Sequence, residues 1–85
     1  MPRNSSPAAV QIGSNIANAR KALSMTVDQL AVASRIDSSN IRSYEAGRAM
    51  MNVRSLVRIA EALNVDPGVL LDGVASEMFA GASQS

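Results

Sequence analysis

The sequence predicts an all-α domain, a compact bundle of five short helices. Three observations carry this expectation. Apolar residues recur at helical spacing in successive segments and nowhere alternate with a period of two. The segments begin and end on residues that cap helices. The connections between them are short, about two to six residues, the lengths that join neighbouring helices in a bundle.

The first helix is expected from Ala9 to Leu23, because Ile12, Ile16, Ala19 and Leu23 lie on one face. The second opens at Thr26, where Gln29 three residues later completes a capping-box pattern. Val27, Leu30 and Ala31 form its apolar stripe, and it ends near Ser34. The third starts on Asp37 as N-cap and runs to Ala46, with Gly47 as its stop. The fourth runs from Asn52 or Val53 to Leu63 and is expected to bury Val53, Leu56, Val57, Ala60 and Leu63. The fifth starts at Asp66-Pro67, an N-cap followed by proline at the first helical position, and ends near Leu71 with Gly73 closing it. Residues 1–8, rich in Pro, Ser and Asn, read as a disordered arm, and residues 9–73 as the folded domain. Residues 74–85 read as a tail, helical as far as Ala80 and available for a dimer contact, with 81–85 frayed.

Composition narrows the function. The chain has 85 residues, enough for one domain near the lower limit for a self-sufficient core, so dimerisation would help it. It has neither cysteine nor histidine, which excludes disulfides, thiolate metal sites and histidine base catalysis. No paired carboxylates share a helix face, no nucleophile has a base beside it, and no glycine loop suits a phosphate. An enzyme, a cofactor and a metal are therefore not expected. No apolar run approaches the roughly 18 residues of a membrane span, and the N-terminus lacks the apolar stretch of a signal peptide, so a cytoplasmic protein is expected. The net charge of +1 conceals an asymmetry. Arg20 to Arg58 holds seven basic and three acidic residues, whereas everything beyond holds four acidic and no basic ones. One basic face of this kind suits a nucleic acid.

The segment from Thr26 to Gly47, TVDQLAVASRIDSSNIRSYEAG, reads as a short helix, a tight turn at 34–36 and a second short helix. That is a helix-turn-helix. Small Ala31 suits the crossing of its helices, Ile36 plugs the turn into the core, and Ile41 and Tyr44 seat the second of them. On a helical wheel, Asp37, Ile41, Tyr44 and Glu45 point inward, while Ser39, Arg42, Ser43 and Ala46 point outward with Ser38 and Asn40 on the flanks. The outward face is slim, polar and basic, as entry into a major groove requires. The amides at the start of the motif, around Thr26 and Val27, form an anion site by helix-terminus geometry.

These signals extend over the whole domain. Ile16, Ala19-Arg20, Leu23, Leu30-Ala31, Ile36, Ile41, Tyr44-Glu45, Gly47, Leu56, Ile59-Ala60, Leu63, Val65 and Leu70-Leu71 sit where the pattern needs them. From Ile12 to Leu71 the chain resembles the Cro/CI repressor family, whose fold is that of the lambda-repressor-like DNA-binding domain. The resemblance implies that the third helix reads double-stranded DNA. Ser38, Ser39 and Ser43 match its base-contacting positions, and Asn40 and Arg42 lie close enough to join them. Asparagine pairs with adenine and arginine with guanine, each adding roughly 1–3 kcal/mol of discrimination. Phosphates would meet the amides at Thr26 and Val27, Arg48 and Arg54, with Arg35 in the turn as a further candidate. The resemblance also implies a structural ion pair between Arg20 and Glu45, and a homodimer on a palindromic operator. With no obvious activating domain in the sequence, occlusion of polymerase is the expected mechanism. Val69, Val74, Met78 and Phe79 are the candidates for the dimer contact.

The chain departs from the family pattern at three places. Val27 stands where glutamine is usual, Arg35 where glycine is usual, and the loop Ala49-Met50-Met51-Asn52 lacks the customary basic residues. Two alternatives therefore stay open. The same fold serves protein-interaction modules such as antitoxins, anti-repressors and accessory factors, and Met50 and Met51 would then form a contact spot rather than cap the core. Phe79 either folds back on its own core or joins a dimer contact.

Overall fold

A computed structural model describes residues 6–79. They form α1 (Pro7–Ala22), α2 (Val27–Ser34), α3 (Ser38–Glu45), α4 (Val53–Leu63) and α5 (Pro67–Leu70), followed by a single 3-10 turn at Ser76–Met78. There is no strand among the described residues. α2 and α3 are the helix-turn-helix. α1 packs on α3, α4 packs on α2, and α5 closes the bundle against α1 and α4. Each helix sends at least one side chain to the centre, where Ile16, Leu30, Ile41, Ile59, Leu63 and Leu70 are completely buried. Each such side chain adds roughly 1.5–3 kcal/mol relative to exposure. Five short helices, none stable alone in water, are held by this shared burial.

The caps explain where the helices begin. Thr26 and Gln29 form a complete capping box, Thr26 Oγ1 accepting from the Gln29 N–H at 3.0 Å and Gln29 Oε1 from the Thr26 N–H at 2.8 Å. Asp37 caps α3 and Asn52 caps α4 through their side-chain oxygens. Asp66 has the expected place and backbone, but its side chain makes no capping bond; Pro67 alone marks that start. α1 begins two residues before the expected Ala9. Ser6 Oγ accepts from the Ala9 N–H at 3.1 Å, Pro7 is the first helical residue, and Ala8 is fully buried. Pro7 and Ala8 thus belong to the bundle and not to an arm. The serine and proline assigned to a flexible arm are a helix-start signature. Residues 1–5 and 80–85, including the ends expected to be disordered or frayed, lie outside the described residues.

Four helices end in the left-handed conformation, at Ser24 (φ 55°), Arg35 (φ 61°, ψ 36°), Gly47 (φ 76°) and Asn64 (φ 57°). In each the next residue's N–H turns back to a carbonyl of the last turn: Met25 to Arg20, Ile36 to Ala31, Arg48 to Ser43 and Val65 to Ala60. Glycine and asparagine adopt this geometry readily, but arginine carries a Cβ that crowds the carbonyl. Arg35→Gly is accordingly expected to stabilise the domain by about 0.5–1 kcal/mol in urea unfolding, the relief of strain exceeding the entropy glycine adds to the unfolded chain. A loss of stability would contradict this account of the turn.

Periodicity failed at helix ends and at one position inside α4. Leu23, expected in the core, is 51% exposed because α1 stops at Ala22 and the chain turns through Ser24 at φ 55°. Val53, the first residue of α4, is 75% exposed, while Ile59, outside the expected stripe, is completely buried. Beyond α5, a single 3-10 turn replaces the expected helical stretch. One polar side chain ties that end down. Asn15 on α1 donates to the carbonyls of Leu70 at 3.0 Å and Asp72 at 2.9 Å, and its own Oδ1 accepts from Gln11 Nε2 at 3.0 Å. Carbonyls at the end of so short a helix have no partners within it, and Asn15 supplies them.

Candidate nucleic-acid interface

The outer face of α3 is built from its N-cap outward. Asp37 accepts from the Ser39 N–H at 3.2 Å and from the Ser39 hydroxyl. These bonds, the hydroxyl first, hold the Asp37 carboxyl below its ordinary acidity value. The carboxylate cap is therefore intact at neutral pH and is lost as pH falls through that lowered value. Ser39, Asn40, Arg42 and Ala46 are exposed, whereas Ser38 and Ser43 are half-buried. Asp37, placed inward on the wheel, is exposed, because its backbone is extended and not yet helical. The accessible polar edge is thus Ser39-Asn40-Arg42, with the two other serines recessed beside it.

The back of α3 is fixed. Ile41 is completely buried, and Tyr44 is half-buried against the core. Glu45 meets Arg20 of α1 in a two-pronged ion pair, Nε to Oε2 at 2.7 Å and Nη2 to Oε1 at 2.9 Å. Both side chains are nearly buried, 13% and 12% exposed. Hydrogen bonding to Glu45 raises the Arg20 pKa further above its ordinary value. The remaining Arg20 prong, Nη1, donates to the Met25 carbonyl at 2.8 Å. One guanidinium thereby joins α1, the loop before α2 and the end of α3. Gly13 brings α1 still closer: a Cβ there would fall on the Tyr44 carbonyl oxygen and lie 2.8 Å from that of Glu45.

The mouth of α2 adjoins this face. Arg42 Nη2 lies 3.5 Å from Asp28 Oδ1 in the first turn of α2. The Thr26 N–H, expected to meet phosphate, is already held by Gln29, so the capping residue closes its own amide. The amides of Val27 and Asp28 have no protein partner among the described residues. The Val27 side chain is half-buried against the core, leaving its backbone as the group that faces outward. Arg48 and Arg54 are exposed on the α3–α4 loop and the first turn of α4. Arg35 lies elsewhere, bordering a hollow with Ser34, Arg58 and Glu61 between the end of α2 and α4.

The two methionines have parted. Met51 is buried in the core, and Met50 is exposed. Phe79 folds back beside Met50, Val53 and Leu71, over a shallow apolar groove floored by Ile12, Met51 and Leu56. Of the other tail candidates, Val74 packs against the core, and Met78 is half-buried with its sulfur accepting from the Ala75 N–H at 3.2 Å. Val69 is exposed but borders a different hollow, between α1 and α5. Asp28, Gly13 and Asn15 are the site and support residues that sequence reasoning missed. Only Gly13 carried a signal: glycine inside a helix costs about 1 kcal/mol relative to alanine and implies a packing reason.

Among the described residues no helix is long and apolar enough to cross a membrane. No curated protein matches the sequence. Solved structures do match the fold. The restriction-modification controller protein C.AhdI from Aeromonas hydrophila is 26% identical, with a TM-score of 0.72 over 73% of this chain and 94% of that one. The clp gene regulator ClgR from Corynebacterium glutamicum is 25% identical, with a TM-score of 0.74 over 89% and 81%. SinR, a master regulator for biofilm formation solved in complex with DNA, is 26% identical, with a TM-score of 0.69 over 72% and 98%. The family model described as a helix-turn-helix domain matches residues 13–76, a span that takes in most of α1 and all of α2 to α5. With that match spanning most of the chain, the protein belongs to the XRE-type helix-turn-helix family of DNA-binding transcription regulators.

Proposed function

We propose that the protein is a dimeric repressor that occludes a palindromic operator, in the manner of an autoregulatory or mobile-element regulator. One observation carries this reading most directly: the rigidly backed α3 presents Ser39, Asn40 and Arg42 to solvent beside the mouth of α2. In this reading Asn40 and Arg42 read base edges, with Ser38, Ser39 and Ser43 lining the groove contact. The Val27 and Asp28 amides, Arg48 and Arg54 hold phosphates, and Arg35, set apart beside α4, contributes little. Two copies meet through exposed apolar side chains at the end of α5 and after it, Val69, Leu71 and Phe79, and bind half-sites about one DNA turn apart. The protein acts on DNA in the cytoplasm.

The apolar groove under Phe79 favours a second reading, in which the fold docks a protein partner. Binding to the DNA flanking the protein's own gene separates the two. The wild type should bind tightly, with affinity falling steeply between two salt concentrations, and Arg42→Ala should lose about 5- to 100-fold there. Binding by both proteins no tighter than to random duplex would overturn the repressor reading in favour of the protein partner.

A further inference from the structure

The α3 segment Ser38–Glu45 contains a single basic side chain, Arg42, and that side chain faces a carboxylate. Asp28 Oδ1 lies 3.5 Å from Arg42 Nη2, and both side chains are well exposed, 76% and 56%. Asp28 also stands at the mouth of α2, next to the two amides that have no protein partner. An acid in a first helical turn ordinarily serves the helix dipole. Here it stands beside the place where a phosphate meets the two amides, so only a phosphate seated in register reaches them without close approach to the carboxylate.

Resting on the DNA-binding reading above, we propose that Asp28 is a specificity-determining residue, one that positions Arg42 and penalises non-specific docking. Two physical effects combine. The carboxylate engages one terminal nitrogen of a flexible side chain and leaves the rest of the guanidinium fork for a base edge, so Arg42 meets DNA already oriented. An exposed pair of this kind adds little in water, but it strengthens when docking removes water from around it. The same negative charge repels phosphates that settle at the α2 mouth out of register, which weakens binding to arbitrary sequence. Val27 cannot share this work, since its side chain packs against the core.

The test compares wild type, Asp28→Asn and Asp28→Glu on three duplexes. These are the best duplex the wild type selects from a random pool, the same duplex changed at the base pair where Arg42→Ala loses discrimination, and an unrelated duplex. Asp28→Asn should bind the unrelated duplex about three- to tenfold more tightly and lose about tenfold of the preference at Arg42's base pair. Asp28→Glu should retain most of that preference. Thermal stability of Asp28→Asn should stay close to wild type. An Asp28→Asn protein whose affinities all shift by one common factor, or which loses only stability, overturns the proposal and leaves Asp28 a helix-dipole residue. A wild type that selects no duplex overturns the DNA-binding reading itself, and this inference with it.

Discussion

Gly13→Ala is expected to destabilise the domain by about 3 kcal/mol or more, at the upper end of what overpacking costs. The added methyl has nowhere to go. It falls on the carbonyl oxygen of Tyr44 and against that of Glu45, both backbone atoms, so no side-chain rotation relieves it. Either α1 and α3 separate or α3 slides, and both disturb Ile16 and Ile41, which are completely buried between them. The intrinsic preference of helices for alanine, about 1 kcal/mol over glycine, works in the opposite direction and is outweighed. For a domain of this size such a loss is a large part of the whole stability. Urea unfolding monitored by circular dichroism measures it. A variant as stable as the wild type would show that the two helices are not this close. Because α3 itself is displaced, DNA affinity should fall even at temperatures where the variant stays folded.

How far the sequence foretold this arrangement depends on the range of the interactions. Local signals carried well. The Thr26–Gln29 box, the Asp37 cap and most of the apolar stripes follow from residues close together in the chain, and they appear as expected. Helix ends carried poorly, because a wheel drawn past the last turn places Leu23 and Val53 in a core they do not reach. Ser6-Pro7 showed the same start signature as Asp66-Pro67, yet its composition suggested an arm. Contacts between distant segments left no local trace. Asn15 bonds residues 55 and 57 positions away, and the Arg42–Asp28 pair depends on the crossing of α2 and α3, which spacing alone does not describe. The exposure of Ser39 and Arg42 was legible from periodicity; that Thr26 spends its amide on its own cap was not.

Glu45→Ala carries the second large expected effect, about 3 kcal/mol of lost stability, because it strands the nearly buried Arg20 charge. Arg20 would keep its bond to the Met25 carbonyl, which compensates in part. Replacing both members by apolar residues of similar volume should cost less than Glu45→Ala alone, since no charge is then left unpaired. Thermal or urea unfolding of the single and paired variants measures this. A single variant within about 0.5 kcal/mol of wild type, the range of ordinary surface substitutions, would mean that the clamp does not hold α3. The variant also separates support from contact. Glu45 faces α1 and not solvent, so a fall in DNA affinity would come through the loosened recognition helix.

Whether the outer face of α3 reads DNA sequence is decided by selecting duplexes from a random pool with the wild-type protein and repeating the selected binding at two salt concentrations. A two-fold symmetric motif whose half-sites lie about one helical turn apart, bound with steep salt dependence, is expected. Arg42→Ala should relax the preference at one base pair in each half-site. A pool that stays random after selection, or a motif that Arg42→Ala leaves unchanged, would contradict sequence reading by α3.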